Sequence, residues 1–306
     1  MKAKTVCSTT LAVAMAAAVM AAPPDAAHAP AQMVVTVQAA QKGATIPPNL
    51  GSGDLLVLQD NKPISVVGLQ RLPADMSDLQ LFIYLDDSTR SASLGTHIPE
   101  LRNFVQSLPD TAQVAIGYMR NGTFALAQGF TTDHRKAAAA IRLPDALPGE
   151  NGSPYFALSE LVKHWPSKQS GRRAVLMLTD GVDRYYPGPI LDDPYVDAAT
   201  TDCLKNDVQV SSIYLFGAGR YGRGAWTQNL AQSRLMQMTE DTGGYAYFEE
   251  FTDPVDIQPF LQNFEIRLEG QYLVTVAALH RGMQPVKVRT ELPGVKIEGP
   301  SQIYVK

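Results

Sequence analysis

The sequence predicts an α/β fold in which helices cover both faces of a mostly parallel sheet, with a small β-domain beside it. Two observations support this prediction. Residues 77–268 contain short apolar runs, typical of buried strands, which alternate with segments whose apolar residues recur at helical spacing. Residues 32–76 and 269–306 contain only strand-like segments and turns. We therefore expect the two ends of the chain to pack together as one β-domain next to the central α/β domain.

Residues 1–31 have the features of a secretory signal peptide. Lys2 and Lys4 form a basic start, and an uninterrupted apolar run follows at residues 11–22. The run is too short to cross a bilayer and is followed by two prolines. The Ala-Pro-Ala segment at 29–31 supplies small residues for cleavage. The sequence therefore predicts a secreted or periplasmic protein, and an uncleaved N-terminal anchor is the alternative.

Short strands are predicted in the N-terminal β segment after this leader. Residues 34–37 alternate or run apolar as a strand does. Residues 55–58 and 64–69 flank the turn-rich pentapeptide 59–63, so we expect them to pair as a hairpin.

Strands and helices alternate from residue 79 onward. Residues 79–85 and 173–180 are almost continuously apolar, as expected for strands that are buried on both faces of a sheet. Asn121-Gly122 lies between two strand-like segments and predicts a tight hairpin turn. The other strands of this region are predicted at 114–118, 124–130, 208–216 and 244–248, and the helices at 94–108, 131–141, 155–165, 193–206, 225–242 and 254–268. After residue 269, strands are predicted at 271–277, 285–290 and 302–305.

Composition excludes several classes of protein. The chain has 306 residues, 45% of them hydrophobic and 18% charged, which is typical of a globular protein. With two cysteines it is not a disulfide scaffold. A formal net charge of −4 argues against nucleic-acid binding, which usually needs a basic surface. No apolar run after residue 22 is long enough to span a membrane, so we expect no membrane span in the mature chain.

Polar residues follow two of the predicted buried strands. The first strand continues into Asp86-Asp87-Ser88-Thr89-Arg90-Ser91, and the second ends at Asp180-Gly181. A third polar loop, 149–154, precedes a predicted helix. Because open α/β sheets bind ligands at the carboxyl ends of their strands, these residues are candidates for a binding site.

In these residues the chain resembles the von Willebrand factor type A (vWA) domain, and more narrowly the VWFA-related family of secreted bacterial proteins. The resemblance spans about residues 34–305 and implies a Rossmann-like sheet of six strands, in which the first and fourth strands are neighbours. It also implies a metal-ion-dependent adhesion site, which binds Mg²⁺, Mn²⁺ or Ca²⁺ through D-x-S-x-S, a Thr and an Asp. The implied function is recognition of a protein or extracellular matrix ligand, as in cell adhesion, through an acidic residue of the partner that fills the open metal position.

Mapped onto this sequence, the resemblance gives four candidate metal ligands. Asp86 and Ser88 match the first motif, Ser153 takes the Thr position, and Asp180 matches the last Asp and is followed by Gly181. Two carboxylates with neutral hydroxyls are a ligand set that hard divalent cations prefer.

The third position of the first motif is Arg90, where the family has Ser, so the site is degenerate. A guanidinium pointing inward would repel a divalent ion. Either Arg90 swings to solvent and Ser91 supplies the missing hydroxyl, or Arg90 replaces the metal and bridges Asp86 and Asp180. The simplest alternative is that residues 86–91 only cap the following helix.

Two loops are expected to form the rim of the site and to contact a partner. The expected partner-binding residues are Arg184, Tyr185, Tyr186, Arg220 and Arg223. The acids around the first loop, Asp183, Asp192, Asp193 and Asp197, predict a solvated acidic surface, with Asp193 before Pro194 as a helix N-cap. Residues 217–222 match G-x-G-x-x-G, but no acid ends the next strand, so we expect no nucleotide site.

The sequence therefore predicts a binding protein and not an enzyme. It contains no G-x-S-x-G elbow, Walker loop or H-E-x-x-H motif. The alternative function is that of a metal-free structural or assembly module of the cell envelope.

Overall fold

The computed structural model describes residues 29–40, 50–147, 150, 152–186, 192–217, 224–250 and 252–306. Residues 1–28 of the predicted leader lie outside this part of the chain. The first described strand begins at Ala29, so the predicted leader boundary at residue 31 falls inside a strand.

The strands are β1 (Ala29–Ala39), β2 (Leu56–Gln59), β3 (Lys62–Ile64), β4 (Val66–Arg71), β5 (Leu79–Asp86), β6 (Gln113–Arg120), β7 (Thr123–Thr131), β8 (Arg172–Thr179), β9 (Val208–Tyr214), β10 (Ala246–Tyr247), β11 (Gln271–Ala278), β12 (Gly282–Arg289), β13 (Val295–Glu298) and β14 (Gln302–Val305). The helices are α1 (Ser91–Gly95), α2 (Ile98–Ser107), α3 (His134–Ala139), α4 (Pro154–Lys163), α5 (Pro194–Lys205), α6 (Ala225–Thr242) and α7 (Gln258–Glu269). Within the described residues, no helix is both long and apolar enough to cross a membrane.

The central sheet has the strand order β10-β9-β8-β5-β6-β7. All neighbouring pairs are parallel except β6 with β7, which form the antiparallel hairpin predicted at residues 121–122. Asn121 and Gly122 both have positive φ, 50° and 71°, as a two-residue hairpin turn of this type requires. The first and fourth strands of the sheet, β5 and β8, are neighbours.

Helices cover both faces of this sheet because side chains of the buried strands alternate between two cores. From β5, Leu81, Ile83 and Leu85 pack in the core with α2, α3 and α7. Phe82 and Tyr84 pack in the other core, with α4, α5 and α6. Every residue of β5 is buried, as its continuously apolar sequence predicts.

The remaining strands form two four-stranded sheets that share one core. Their orders are β13-β1-β11-β4 and β14-β12-β2-β3, so each sheet combines strands from both ends of the chain. Strand β1 pairs with β11, and β2 pairs with β12.

Two details of the sequence prediction are wrong. The predicted partner of residues 55–58 was the strand at 64–69, but β2 pairs with the short β3, and β4 crosses to pair with β11. The helix predicted at 94–108 is divided into α1 and α2, because Pro99 lies in the first turn of α2, where proline starts a helix. Strand β13 was not predicted at all.

Candidate functional site

The candidate site lies where β5 and β8 end. The two strands are parallel neighbours with Leu85 opposite Leu178, so Asp86 and Asp180 emerge at the same edge of the sheet. Both aspartates are only 1% exposed. They are close enough for the charge of Asp180 to raise the pKa of Asp86. The structure thus brings together the two acids that the sequence placed at strand ends, but beneath the surface. We call Asp86 and Asp180 the acid pair.

Hydrogen bonds from neighbouring hydroxyls hold Asp86 in place. Its Oδ1 accepts from the backbone N–H of Ser88 at 2.9 Å and from the Ser88 hydroxyl at 2.8 Å. Its Oδ2 accepts from the Thr179 hydroxyl at 2.9 Å. Burial, reinforced by Asp180, raises the pKa of Asp86 to about 6 even though the bonds from Ser88 and the charge of Arg184 act in the other direction.

Among the described residues, Arg184 forms an ion pair with Asp180. Its Nη2 lies 2.7 Å from Oδ2 of Asp180 and its Nη1 lies 3.4 Å from Oδ1, a two-point contact with both carboxylate oxygens. Nη1 also donates to the carbonyl of Val182 at 3.1 Å. Burial alone would lower the pKa of Arg184, but the charges of Asp180 and Asp86 outweigh it and raise that pKa. Arg184 was predicted to face a partner; instead its side chain, 13% exposed, turns into the acid pair.

The turn after β8 makes this contact possible. Gly181 has φ +64°, a left-handed conformation that a side chain disfavours. A Cβ at Gly181 would also lie 2.7 Å from Cδ1 of Leu235. The glycine therefore lets the chain reverse over α6 and return Arg184 toward Asp180.

Arg90 does not bridge Asp86 and Asp180, as the sequence had allowed. The residue precedes α1 and is half-buried, with its guanidinium carbon 5.9 Å from the ring centroid of Phe216. Ser91 is exposed at the start of α1, whereas the acid pair is buried. The side chain of Arg90, the N-cap residue of α1, makes no capping hydrogen bond.

Ser153 is buried, but its hydroxyl is bonded to a different acid. Its Oγ accepts from the backbone N–H of Phe156 at 3.1 Å, which caps α4, and donates to Oδ2 of Asp183 at 2.5 Å. Oδ1 of Asp183 accepts the backbone N–H groups of Tyr185 and Tyr186 at 2.8 and 2.9 Å. Asp183 therefore joins α4 to the loop that carries Arg184.

The acidic loop is only partly solvated, contrary to the prediction. Asp192 and Asp197 are exposed, but Asp183 and Asp193 are each 1% exposed. Asp193 caps α5 by accepting from the N–H of Tyr195 at 2.9 Å, as predicted, and its Oδ2 lies 3.0 Å from Nη1 of the buried Arg234. Burial raises the pKa of Asp183 and of Asp193, since it disfavours their charged forms.

These residues do not fit a divalent cation in this arrangement. A hard cation takes about six oxygen ligands. The guanidinium of Arg184 lies on both oxygens of Asp180, where its charge would repel a cation. Among the residues that the structure describes, no group of three or more His, Cys, Asp or Glu side chains is suited to hold a metal.

Aromatic side chains form the rim beside the acid pair. Tyr185 is 48% exposed and Phe156 39% exposed, and their ring centroids are 6.1 Å apart. Tyr195 packs edge-on against both rings. A Cβ at Gly152 would lie 1.9 Å from Tyr185, so the ring rests directly on this backbone. We call Phe156, Tyr185 and Tyr195 the aromatic rim.

The other predicted partner residues are placed differently. Tyr186 is half-buried, with the Arg234 guanidinium 5.9 Å from its ring centroid. Arg220 and Arg223 lie outside the described residues, as does most of the G-x-G-x-x-G segment.

Comparison with solved structures finds similar chains of low identity. The von Willebrand factor type A structure from Catenulispora acidiphila is 10% identical, covering 91% of this chain and 74% of its own, with a TM-score of 0.47. BatB from Bacteroides thetaiotaomicron is 14% identical, covering 62% and 98%, with a TM-score of 0.45. The vWF domain of the type V pili tip protein Mfa5 from Porphyromonas gingivalis is 11% identical, covering 61% and 93%, with a TM-score of 0.43. No family model and no curated protein matches the sequence. The chain has a vWA-like fold.

Proposed function

We propose that this chain is an extracytoplasmic module for protein recognition, and that its contact surface is the carboxyl edge of the central sheet, centred on the aromatic rim. The signal-like leader supports an extracytoplasmic location. The vWA-like fold gathers the loops after β5, β8 and β9 at one edge, which is where α/β sheets place their binding sites.

Apolar side chains are exposed along this edge. Among the described residues, six large apolar side chains that are at least 39% exposed lie on the connections at the carboxyl ends of the strands. They are Leu143, Leu147, Phe156, Tyr185, Trp226 and Val255. Exposed aromatic residues grouped in this way are typical of the centre of a protein interface.

Hydrogen bonds fix the backbone of the aromatic rim at Tyr185, and this observation carries the proposal. The N–H groups of Arg184 and Tyr185 both donate to the carbonyl of Gly152, at 2.7 and 3.1 Å. The carboxylate of Asp183 accepts a second bond from the N–H of Tyr185. A ring that is fixed before binding loses little conformational freedom when a partner covers it.

The chemistry of the partner follows from what is exposed. The acid pair is buried and compensated by Arg184, so the surface offers aromatic and aliphatic contacts rather than an open metal position. We therefore propose a protein or matrix ligand that binds with an apolar patch, instead of one that supplies a carboxylate to a metal.

Site-specific crosslinking tests the proposal. A photo-crosslinking phenylalanine analogue replaces Tyr185 in one variant and Tyr245 in a second. Tyr245 is a matched control because it is 42% exposed but precedes β10, away from the carboxyl ends. We expect a discrete crosslinked partner from the envelope or secreted fraction of the producing cell at position 185 and not at 245.

The same pair of variants can contradict the proposal. Equal crosslinking at both positions would indicate non-specific contact. Crosslinking at 245 alone would move the contact away from the carboxyl edge and favour the alternative of an assembly module.

A further inference from the structure

We infer that Arg184 is the resident cation of the acid pair, so that this chain holds Asp86 and Asp180 together without a divalent ion. The sequence suggested that Arg90 would decide whether a metal binds. The structure assigns control of metal binding to Arg184, four positions after Asp180, and not to Arg90. The inference holds whether or not a partner binds the aromatic rim.

The contact has the geometry expected of a counter-ion that is part of the protein chain. Arg184 touches both oxygens of Asp180 and is anchored by the carbonyl of Val182. Its field reaches Asp86 as well, since each of these two groups shifts the pKa of the other toward its charged form. Planar two-point pairing is the geometry in which a guanidinium binds a carboxylate most strongly.

A buried pair of acids needs such a charge. Two carboxylates at 1% exposure repel each other and have lost the solvation that would screen them. A divalent ion could compensate them, but it would have to displace the guanidinium from Asp180 or tolerate its repulsion. Because Arg184 is part of the chain, it occupies the site at every concentration of free ion.

The other groups around the acid pair are consistent with this role. Ser88 and Thr179 give their hydroxyl hydrogens to Asp86, and Ser153 gives its hydrogen to Asp183. Each hydroxyl acts as a donor to a carboxylate, and such hydrogen bonds favour the charged form of the acid as Arg184 does.

Titration with Mg²⁺ and Mn²⁺ on the full chain tests the inference. Three proteins are compared after treatment with EDTA: wild type, Arg184→Met and Arg90→Ser. Arg90→Ser is the matched control, because it removes an arginine near the crevice and restores the family residue without touching the acid pair. The readouts are the midpoint of thermal unfolding and the fraction of Mn²⁺ bound, measured by electron paramagnetic resonance.

We expect wild type and Arg90→Ser to bind no Mn²⁺ and to show no shift of the midpoint with either ion. Arg184→Met should unfold at a lower temperature in EDTA and recover part of the loss when Mn²⁺ is added, because the ion then compensates the acids. Mn²⁺ binding by the wild type would overturn the inference. A response of Arg90→Ser equal to that of Arg184→Met would also overturn it.

Two further outcomes are decisive. An Arg184→Met variant that folds but ignores both ions would show that the arginine replaces no cation, and would overturn the inference. If Arg184→Met does not fold in EDTA, the double variant Asp180→Asn/Arg184→Met removes one acid and the arginine together. We expect it to fold without metal; its failure to fold would show that Arg184 is needed for something other than charge.

Discussion

Two arginines lie near opposite ends of strand β8, and they differ in what their side chains contact. Arg184 follows the carboxyl end of β8 and pairs with Asp180 at 2.7 Å. Arg172 begins the same strand, and its Nη2 lies 3.3 Å from Oδ1 of Asp78 without hydrogen-bond geometry. The side chain of Asp78 is 26% exposed and that of Asp180 is 1% exposed.

The contacts of Arg172 are mainly with neutral groups. Its Nη1 donates to the carbonyl of Leu268, at the end of α7, and to Oε1 of Gln271, at the start of β11, at 2.7 and 2.8 Å. Burial lowers the pKa of Arg172, and Asp78 offsets this only in part, whereas the pKa of Arg184 is raised. Arg172 therefore ties the α/β layer to the β-domain, and Arg184 neutralises acids.

Removing the charge at the carboxyl edge should have the largest effect. Arg184→Met leaves two buried carboxylates uncompensated, and we expect the free energy of unfolding to fall by about 3–5 kcal/mol in metal-free buffer. Urea unfolding measures it. Arg184→Lys keeps a charge but not the two-point contact, so it should lose less. A loss below about 1 kcal/mol in Arg184→Met would mean that the acid pair does not depend on this arginine.

The equivalent change at the other edge should be smaller and insensitive to metal. Arg172→Met removes the donor of the Leu268 carbonyl and of Gln271, for which we expect a loss of about 2–3 kcal/mol. The charge of Asp78 stays partly solvated, so it adds little. If Mn²⁺ restored stability in Arg172→Met as it does in Arg184→Met, the distinction between the two arginines would be lost.

The sequence predicted the strands that position the site better than it predicted the side-chain contacts within the site. Continuous apolar runs identified β5 and β8 as buried strands, and the resemblance to the vWA domain implied that they are neighbours. Parallel neighbours bring their carboxyl ends to one edge of the sheet. The approach of Asp86 and Asp180 follows from that rule. Helix α6 has the predicted bounds, 225–242, because glycines at 224 and 243 flank it.

Which arginine side chain points toward the acid pair could not be predicted in the same way. Arg90 and Arg184 lie equally close in sequence to an acid of the pair, and only the loop conformations decide which one turns inward. For Arg184 that decision comes from the positive φ of Gly181 and from the Asp183 bonds that fix the next two residues. Likewise, no pattern in the sequence indicates that β4 pairs with β11, about 200 residues away, and not with the nearby β2.

The polar network at the carboxyl edge can be tested at Ser153. Ser153→Ala removes the N-cap of α4 and one donor to the buried Asp183, so we expect a loss of about 1–2 kcal/mol in the free energy of unfolding. Ser153→Thr keeps the hydroxyl and should stay near wild type. A loss in Ser153→Ala that is restored by Mg²⁺ would instead place this residue in a metal site.

A third arginine, which is buried, extends the comparison to the β-domain. Arg267 of α7 pairs with Glu298 of β13, whose side chain is 23% exposed. Burial would raise the pKa of Glu298, but Arg267 and Lys296 lower it below its ordinary value of 4.5. The pair therefore contributes stability above pH 4.5 and loses it as the pH falls through the lowered pKa.

Glu298→Gln measures this contribution. We expect it to cost about 1 kcal/mol at neutral pH, since the pair is only partly buried. The difference between wild type and variant should disappear in acid, once Glu298 is protonated in both states. A difference that is constant with pH would show that packing, and not charge, holds β13 to α7.

The smallest effect is expected at the residue that the sequence made most prominent. The guanidinium carbon of Arg90 lies 5.9 Å from the ring centroid of Phe216 and the residue is half-buried, so Arg90→Ser should change the free energy of unfolding by less than about 0.5 kcal/mol. Restoring the serine of the family motif at position 90 should also leave Arg184 bound to the acid pair. If Arg90→Ser bound a divalent ion as tightly as Arg184→Met does, the residue after β5, and not Arg184, would control binding of the ion to the acid pair. The carboxyl edge would then resemble the metal site of the family more closely than the contact of Arg184 indicates.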